Sequence, residues 1–147
     1  MLNSRKTKGF TLIEILVVMA LIAILAAITF IAINPQKNFA DARNTQRQSD
    51  VREILSAITQ YGSESGNSYS TLGTIPTCTT NVNNSAIIGT DNVDLASKLV
   101  TGYIVSIPVD PSNGTAANTG YKICTTGGRI QIDAPNAENG RVISVKR

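Results

Sequence analysis

Histidine is absent from the 147 residues, and so is tryptophan. Without an imidazole the chain lacks the commonest general base near neutral pH and the commonest metal ligand, which excludes serine–histidine, cysteine–histidine and zinc–histidine chemistry. Aromatic side chains make up only 5 % of the sequence. Net charge is also scarce, with thirteen Lys plus Arg against ten Asp plus Glu. Arg5, Lys6 and Lys8 precede the first apolar run, and setting them aside leaves ten cations against ten anions. Nonspecific nucleic-acid affinity is mainly electrostatic, so a neutral, aromatic-poor chain argues against nucleic acid as a partner. No pair of acids stands at a spacing that suggests acid–base catalysis. Asp91, Asp94, Asp110 and Asp133 fit no loop with oxygen ligands at alternating positions, so they read as solvated loop acids, with no metal and no cofactor implied.

What the chain has in excess is one long apolar run. From Ile15 to Ile33 the only polar side chain is Thr29, and Phe10, Leu12 and Ile13 extend the run toward the N-terminus. Roughly 20 residues rising about 1.5 Å each cover a hydrocarbon core of about 30 Å. Arg5, Lys6 and Lys8 keep the N-terminus cytoplasmic and send the rest outward. One acid, Glu14, sits inside the run. Each Leu, Ile, Val or Phe gains roughly 0.3–0.6 kcal/mol, so insertion outweighs the few kcal/mol that one acid costs near a helix end. Two readings of Glu14 remain open on the segment alone: it reaches the headgroups idly, or it awaits a cationic partner that a monomer does not supply. A cleaved secretory signal is argued against by the length of the run and by the acid within it. A plain anchor explains insertion but leaves Glu14 without a role. Ala20, Ala23 and Ala27 recur at helical spacing, either to let helices approach closely or as filler.

Lys8-Gly9-Phe10-Thr11-Leu12-Ile13-Glu14, followed at once by the apolar helix, resembles the N-terminal motif of type IV pilins and pseudopilins. The resemblance implies that a prepilin peptidase cuts between Gly9 and Phe10 and methylates the new amine of Phe10. It implies that Glu14 pairs with the N-terminal amine of a neighbouring subunit. A charge in hydrocarbon gains most from an opposite charge at one axial offset, so that pairing would set the register of a helical homo-oligomeric fibre. The other partners implied are the inner membrane before assembly and the machinery of a pilus or secretion system, with the finished fibre outside the cell. On this reading 1–9 is a cleaved leader, 10–34 a transmembrane and fibre-core helix, 35–62 an amphipathic helix packing on the head, and 63–147 a globular head.

Asn34-Pro35 predicts a kink or break. Residues 38–49 are polar and free of Gly and Pro, and read as helix in water. Val51, Ile54, Leu55, Ile58 and Tyr61 then form an apolar stripe at i, i+3, i+4 and i+7, which Gly62 and the following serines end. A surface loop with some extended structure is expected over 71–90, and a short helix through Leu95, Leu99 and Val100 capped by Asp91 or Asn92. Ile107-Pro108-Val109-Asp110-Pro111 reads as a rigid connector of a kind that recurs in pilin-like heads. The helix carrying Asn34-Pro35, Ala42-Arg43 and Gln46-Arg47-Gln48-Ser49-Asp50, closed by Tyr61, also resembles that of a subset of pilin-like proteins. The period then becomes two, giving strands over 121–125, 129–133 and 141–145 with turns at Gly127-Gly128 and near Asn139-Gly140. The fold class is therefore α+β: a long N-terminal helix whose second half covers a small antiparallel three-stranded sheet. Cys78 and Cys124 are expected to form a disulfide on the outer side of the membrane, a pair of buried free thiols being the alternative.

The leading expectation is a structural fibre subunit, not an enzyme. A DNA-uptake minor pilin is one rival, and it needs a basic strip on the head for which Arg129, Arg141, Lys146 and Arg147 are thin support. A membrane-anchored exported enzyme is the other.

Overall fold

A computed structural model describes residues 9–32, 34–78 and 85–147. The chain divides into two compact units, one running up to Asn38 and the other Phe39–Arg147. The first unit holds α1 (Leu12–Ala32), a helix of 21 residues without Gly or Pro. Val18, the most covered of its large apolar side chains, is still 49 % exposed. Thr29 Oγ1 donates to Leu25 O at 2.7 Å, so the one hydroxyl in the helix is satisfied by its own backbone. Among the described residues of its unit, therefore, nothing covers the apolar surface of α1.

The helix ends where Asn34-Pro35 predicts a break, and α2 (Pro35–Ser63) begins with Pro in the first helical position, where its missing N–H costs nothing. Asn34 Oδ1 caps it by accepting from Lys37 N at 3.2 Å. In the second unit the stripe Val51, Ile54, Leu55, Ile58 and Tyr61 is buried against the head. Full burial of each such aliphatic side chain contributes roughly 1.5–3 kcal/mol.

The sheet has four strands in the order β1-β2-β3-β4, all antiparallel: β1 (Ala86–Ile87), β2 (Lys122–Thr126), β3 (Arg129–Asp133) and β4 (Ser144–Lys146). The α+β class stands, with one strand more than the period-two pattern shows. A two-residue β1 is too short to display alternation, and it exists because Ala86 pairs with Ile123 and Ile87 with Lys122. Between β2 and β3 the turn residues Gly127 and Gly128 have φ of 57° and 78°, the pair of positive angles that a tight hairpin needs. The last strand starts at Ser144 instead of Arg141 because the segment before it is tied to α2: Glu138 N donates to Asn44 Oδ1, and Asn44 Nδ2 donates to Glu138 O, both at 2.9 Å.

Ile123, Ile130 and Ile132 point from the sheet into the core beside Leu72, Ile88, Leu95 and Leu99. The short helix α3 (Ala96–Leu99) is capped differently from expectation, since Asp94 Oδ1 accepts from Ala96 N at 3.0 Å and Asp91 and Asn92 take no part in that cap. A 3-10 turn at Tyr69–Leu72 follows α2 at the start of the loop region.

Candidate processing and assembly site

Gly9 and Phe10 lie before α1 in no regular structure, and Phe10 is 81 % exposed. A Cβ added to Gly9 would meet no atom within 4 Å, and Gly9 is not among the residues with positive φ. Among the described residues nothing in the fold requires glycine here. Arg5, Lys6 and Lys8 fall outside the described residues.

Thr11 and Glu14 form a reciprocal cap at the start of α1. Glu14 N donates to Thr11 Oγ1 at 3.3 Å, while Thr11 N and Thr11 Oγ1 both donate to Glu14 Oε2 at 3.2 Å. This satisfies donors that the helix end would otherwise leave open, and the acid complements the positive end of the helix dipole. The sequence reading gave Glu14 no partner within a monomer, and the structure corrects this. The signal was present, since Thr-x-x-Glu ahead of an apolar run is the capping-box spacing. Only Oε2 is engaged in these bonds, which leaves Oε1 open to another donor.

Thirty residues on, the polar part of α2 departs from its expected solvation. Arg47 is 0 % exposed, with Asn44 and Asp50 buried beside it. Its guanidinium grips Asp110 through two bonds, Nε to Oδ2 at 2.7 Å and Nη2 to Oδ1 at 3.1 Å. The remaining N–H groups reach Ser112 Oγ at 2.7 Å, Glu138 Oε2 at 2.9 Å and Asn44 Oδ1 at 3.1 Å. Arg43 clamps the same Glu138 with bonds of 2.7 and 2.6 Å. Asp50 accepts from the hydroxyl of buried Tyr121 at 2.5 Å. Asp110 and Asp133 are thus buried rather than solvated, whereas Asp91 is exposed.

These contacts set the ionisation of the cluster. Hydrogen bonds from Arg43 and then Arg47 hold the Glu138 carboxyl down at about 2. Burial alone would push Asp110 up, but Arg47 and the Ser112 amide together bring it below the usual carboxylate range. Bonds to Asp110 raise Arg47 against the opposing effect of burial. Burial, then the bond to Asp50, pushes the Tyr121 phenol well above its ordinary value. The arrangement fixes a helix to a head, and every buried side-chain nitrogen and oxygen among the described residues has a partner.

Cys78 and Cys124 are joined by a disulfide with Cα atoms 5.0 Å apart. The backbone around 76–78 runs beside β2: Cys78 N donates to Thr125 O at 2.7 Å and Thr125 N to Pro76 O at 2.8 Å. That contact places the two sulfurs together.

Compared with protein families, residues 4–30 match the prokaryotic N-terminal methylation motif. The chain carries the hallmark of type IV prepilins and pseudopilins. The matched stretch takes in Gly9, Phe10, the Thr11–Glu14 cap and most of α1, so the geometry above is that of the matched motif. The motif marks structural rather than catalytic proteins, and it implies processing by a prepilin peptidase and assembly into pilus-like polymers. The apolar helix is also a membrane-anchor candidate, with Leu12–Ile31 long and apolar enough to cross a bilayer. No curated protein and no solved structure matches the chain.

Proposed function

We propose that this chain is a structural subunit of an extracellular type IV pilus or pseudopilus, inserted as a membrane prepilin with its N-terminus in the cytoplasm. Hydrolysis of the Gly9–Phe10 amide releases the leader with a carboxylate on Gly9 and leaves an amine on Phe10, which then takes a methyl group from a separate methyl-donor cosubstrate and gives up one proton. Extraction from the bilayer places α1 against copies of itself in the fibre core. The observation that carries this reading is α1: its large apolar side chains are exposed all around, and only a bilayer or neighbouring helices cover such a surface. Glu14, held at the helix start with one oxygen open, meets the Phe10 amine of an adjacent subunit and sets the axial register. Gly9 supports the reading from the other side, because glycine there answers to a protease subsite and not to the fold. The test is mass spectrometry of the membrane-extracted protein. A mature chain starting at Phe10 with a methylated amine is the expected result; an intact Met1, or a cut after the apolar helix, overturns the reading.

A further inference from the structure

On the head, a polar pocket of about 180 Å³ is lined by Asn113, Asn118, Asn136 and Lys122, together with Ile87 and the fully buried Tyr121. Internal bonds set the asparagine amides: Asn136 Nδ2 donates to Asn113 Oδ1 at 3.2 Å, and Asn118 Oδ1 accepts from Gly120 N at 3.0 Å. The Nδ2 groups of Asn113 and Asn118 then remain as donors with no partner among the described residues. Tyr121 spends its hydroxyl on Asp50. Lys122 joins no ion pair among the described residues, all of which belong to Arg43 and Arg47. Such a pocket offers fixed amide donors suited to hydroxyls beside one cation suited to a carboxylate.

The sheet extends this site. Register places Lys122 opposite Asp133, Thr126 opposite Arg129, and Cys124 opposite Gln131, which is itself opposite Lys146. These residues alternate with Ile123, Ile130 and Ile132 of the core, so Lys122, Arg129 and Lys146 share the face turned away from α2. Asp133, the acid on that face, is buried and held by Gln131 Nε2 at 2.9 and 3.2 Å. From strand geometry, Lys122 lies about 12 Å from Lys146 and about 14 Å from Arg129, Cα to Cα. We propose that pocket and face together bind an acidic polysaccharide. One uronate unit sits among the asparagines with its carboxylate on Lys122, and further carboxylates of the same polymer reach Lys146 and Arg129. Single-stranded nucleic acid fits less well, because no aromatic residue follows Tyr121 in the sequence to stack a base.

The inference concerns the head and does not depend on fibre assembly. Full-length protein in detergent is titrated with polygalacturonate, with its fully methyl-esterified form and with single-stranded DNA of equal charge. Expected are binding of polygalacturonate, loss of binding on esterification, and affinity about tenfold weaker in Lys122→Gln and in Asn118→Ala, the size of one charge-assisted hydrogen bond. Lys98→Gln, which removes an exposed cation of α3, should leave affinity unchanged. Melting and the intact disulfide serve as the check on folding for each variant. Absence of polygalacturonate binding by folded wild type, an equal loss in Lys98→Gln, or DNA binding as tight and as dependent on Lys122 overturns the proposal.

Discussion

Glu14 caps α1 within one chain, and the proposed fibre gives it a second task between subunits that substitution can separate from the first. Within one subunit it caps α1 through Thr11, a contribution of about 0.5–2 kcal/mol to the helix start. In the proposed fibre, removing it would leave the Phe10 amine of a neighbouring subunit without a counter-charge, at a cost of several kcal/mol for every subunit added. Glu14→Gln keeps an oxygen for the cap but loses the charge, whereas Glu14→Leu loses both. Both variants are expected to insert and be trimmed, and neither to yield sheared fibres. Normal fibre yield from Glu14→Gln would show that capping, not charge, is the acid's contribution. Glu138 offers a second test through pH. Its folded-state value of about 2 lies below the ordinary 4.5, so its contribution is complete above about pH 5 and is lost as pH falls through the interval between those values. Asp110, also depressed, acts in the same direction. The melting temperature of wild type should therefore drop between about pH 4.5 and 2, and Glu138→Gln should start lower at neutral pH and drop less. Parallel curves would remove Glu138 from the acid response.

The second helix shows why patterning can mislead. Its stretch from Asn38 to Ser49 carries charges and amides in every turn, yet Ala40, Asn44 and Arg47 lie buried. Arg47 stays charged in the interior because Asp110, Ser112, Glu138 and Asn44 use its whole fork of donors. Those partners stand 3 to 91 positions away in sequence, and no local period announces them. Arg47→Met should destabilise the head by about 3–5 kcal/mol, because it strands Asp110 in the interior. Adding Asp110→Leu should recover part of that loss. Urea titration of both variants measures it, and a double variant no more stable than the single one would show that packing, not charge, sets the cost. Gly120 has a related local constraint: its φ of +83° suits glycine, and a Cβ there would lie 2.6 Å from that of Asp110.

Across the molecule the disulfide links the loop region to the sheet. Closing a separation of 46 residues restricts the unfolded chain by about 4 kcal/mol. For a unit of this size that corresponds to a melting shift of more than about 10 °C, so Cys78→Ser should melt well below wild type and match wild type under reducing conditions. A melting temperature unchanged by the substitution would show that the bond adds nothing to the folded head.

The apolar helix, its break at Asn34-Pro35, the stripe of α2 and the Gly127-Gly128 hairpin were all legible in the sequence. Each is encoded by neighbours: an uninterrupted apolar run, a missing donor, a period near 3.6, two adjacent glycines free to take positive φ. The Thr11–Glu14 cap is equally local, and its spacing was there to be read. The strand Ala86–Ile87, the late start of β4, the burial of Asp110 and the sharing of Glu138 by Arg43 and Arg47 are of another kind. The strand forms only where Ala86 and Ile87 meet β2. The others arise only when α2 meets the head, because a charged side chain enters an interior only where distant partners satisfy all of its hydrogen bonds, and those partners are brought together by the fold.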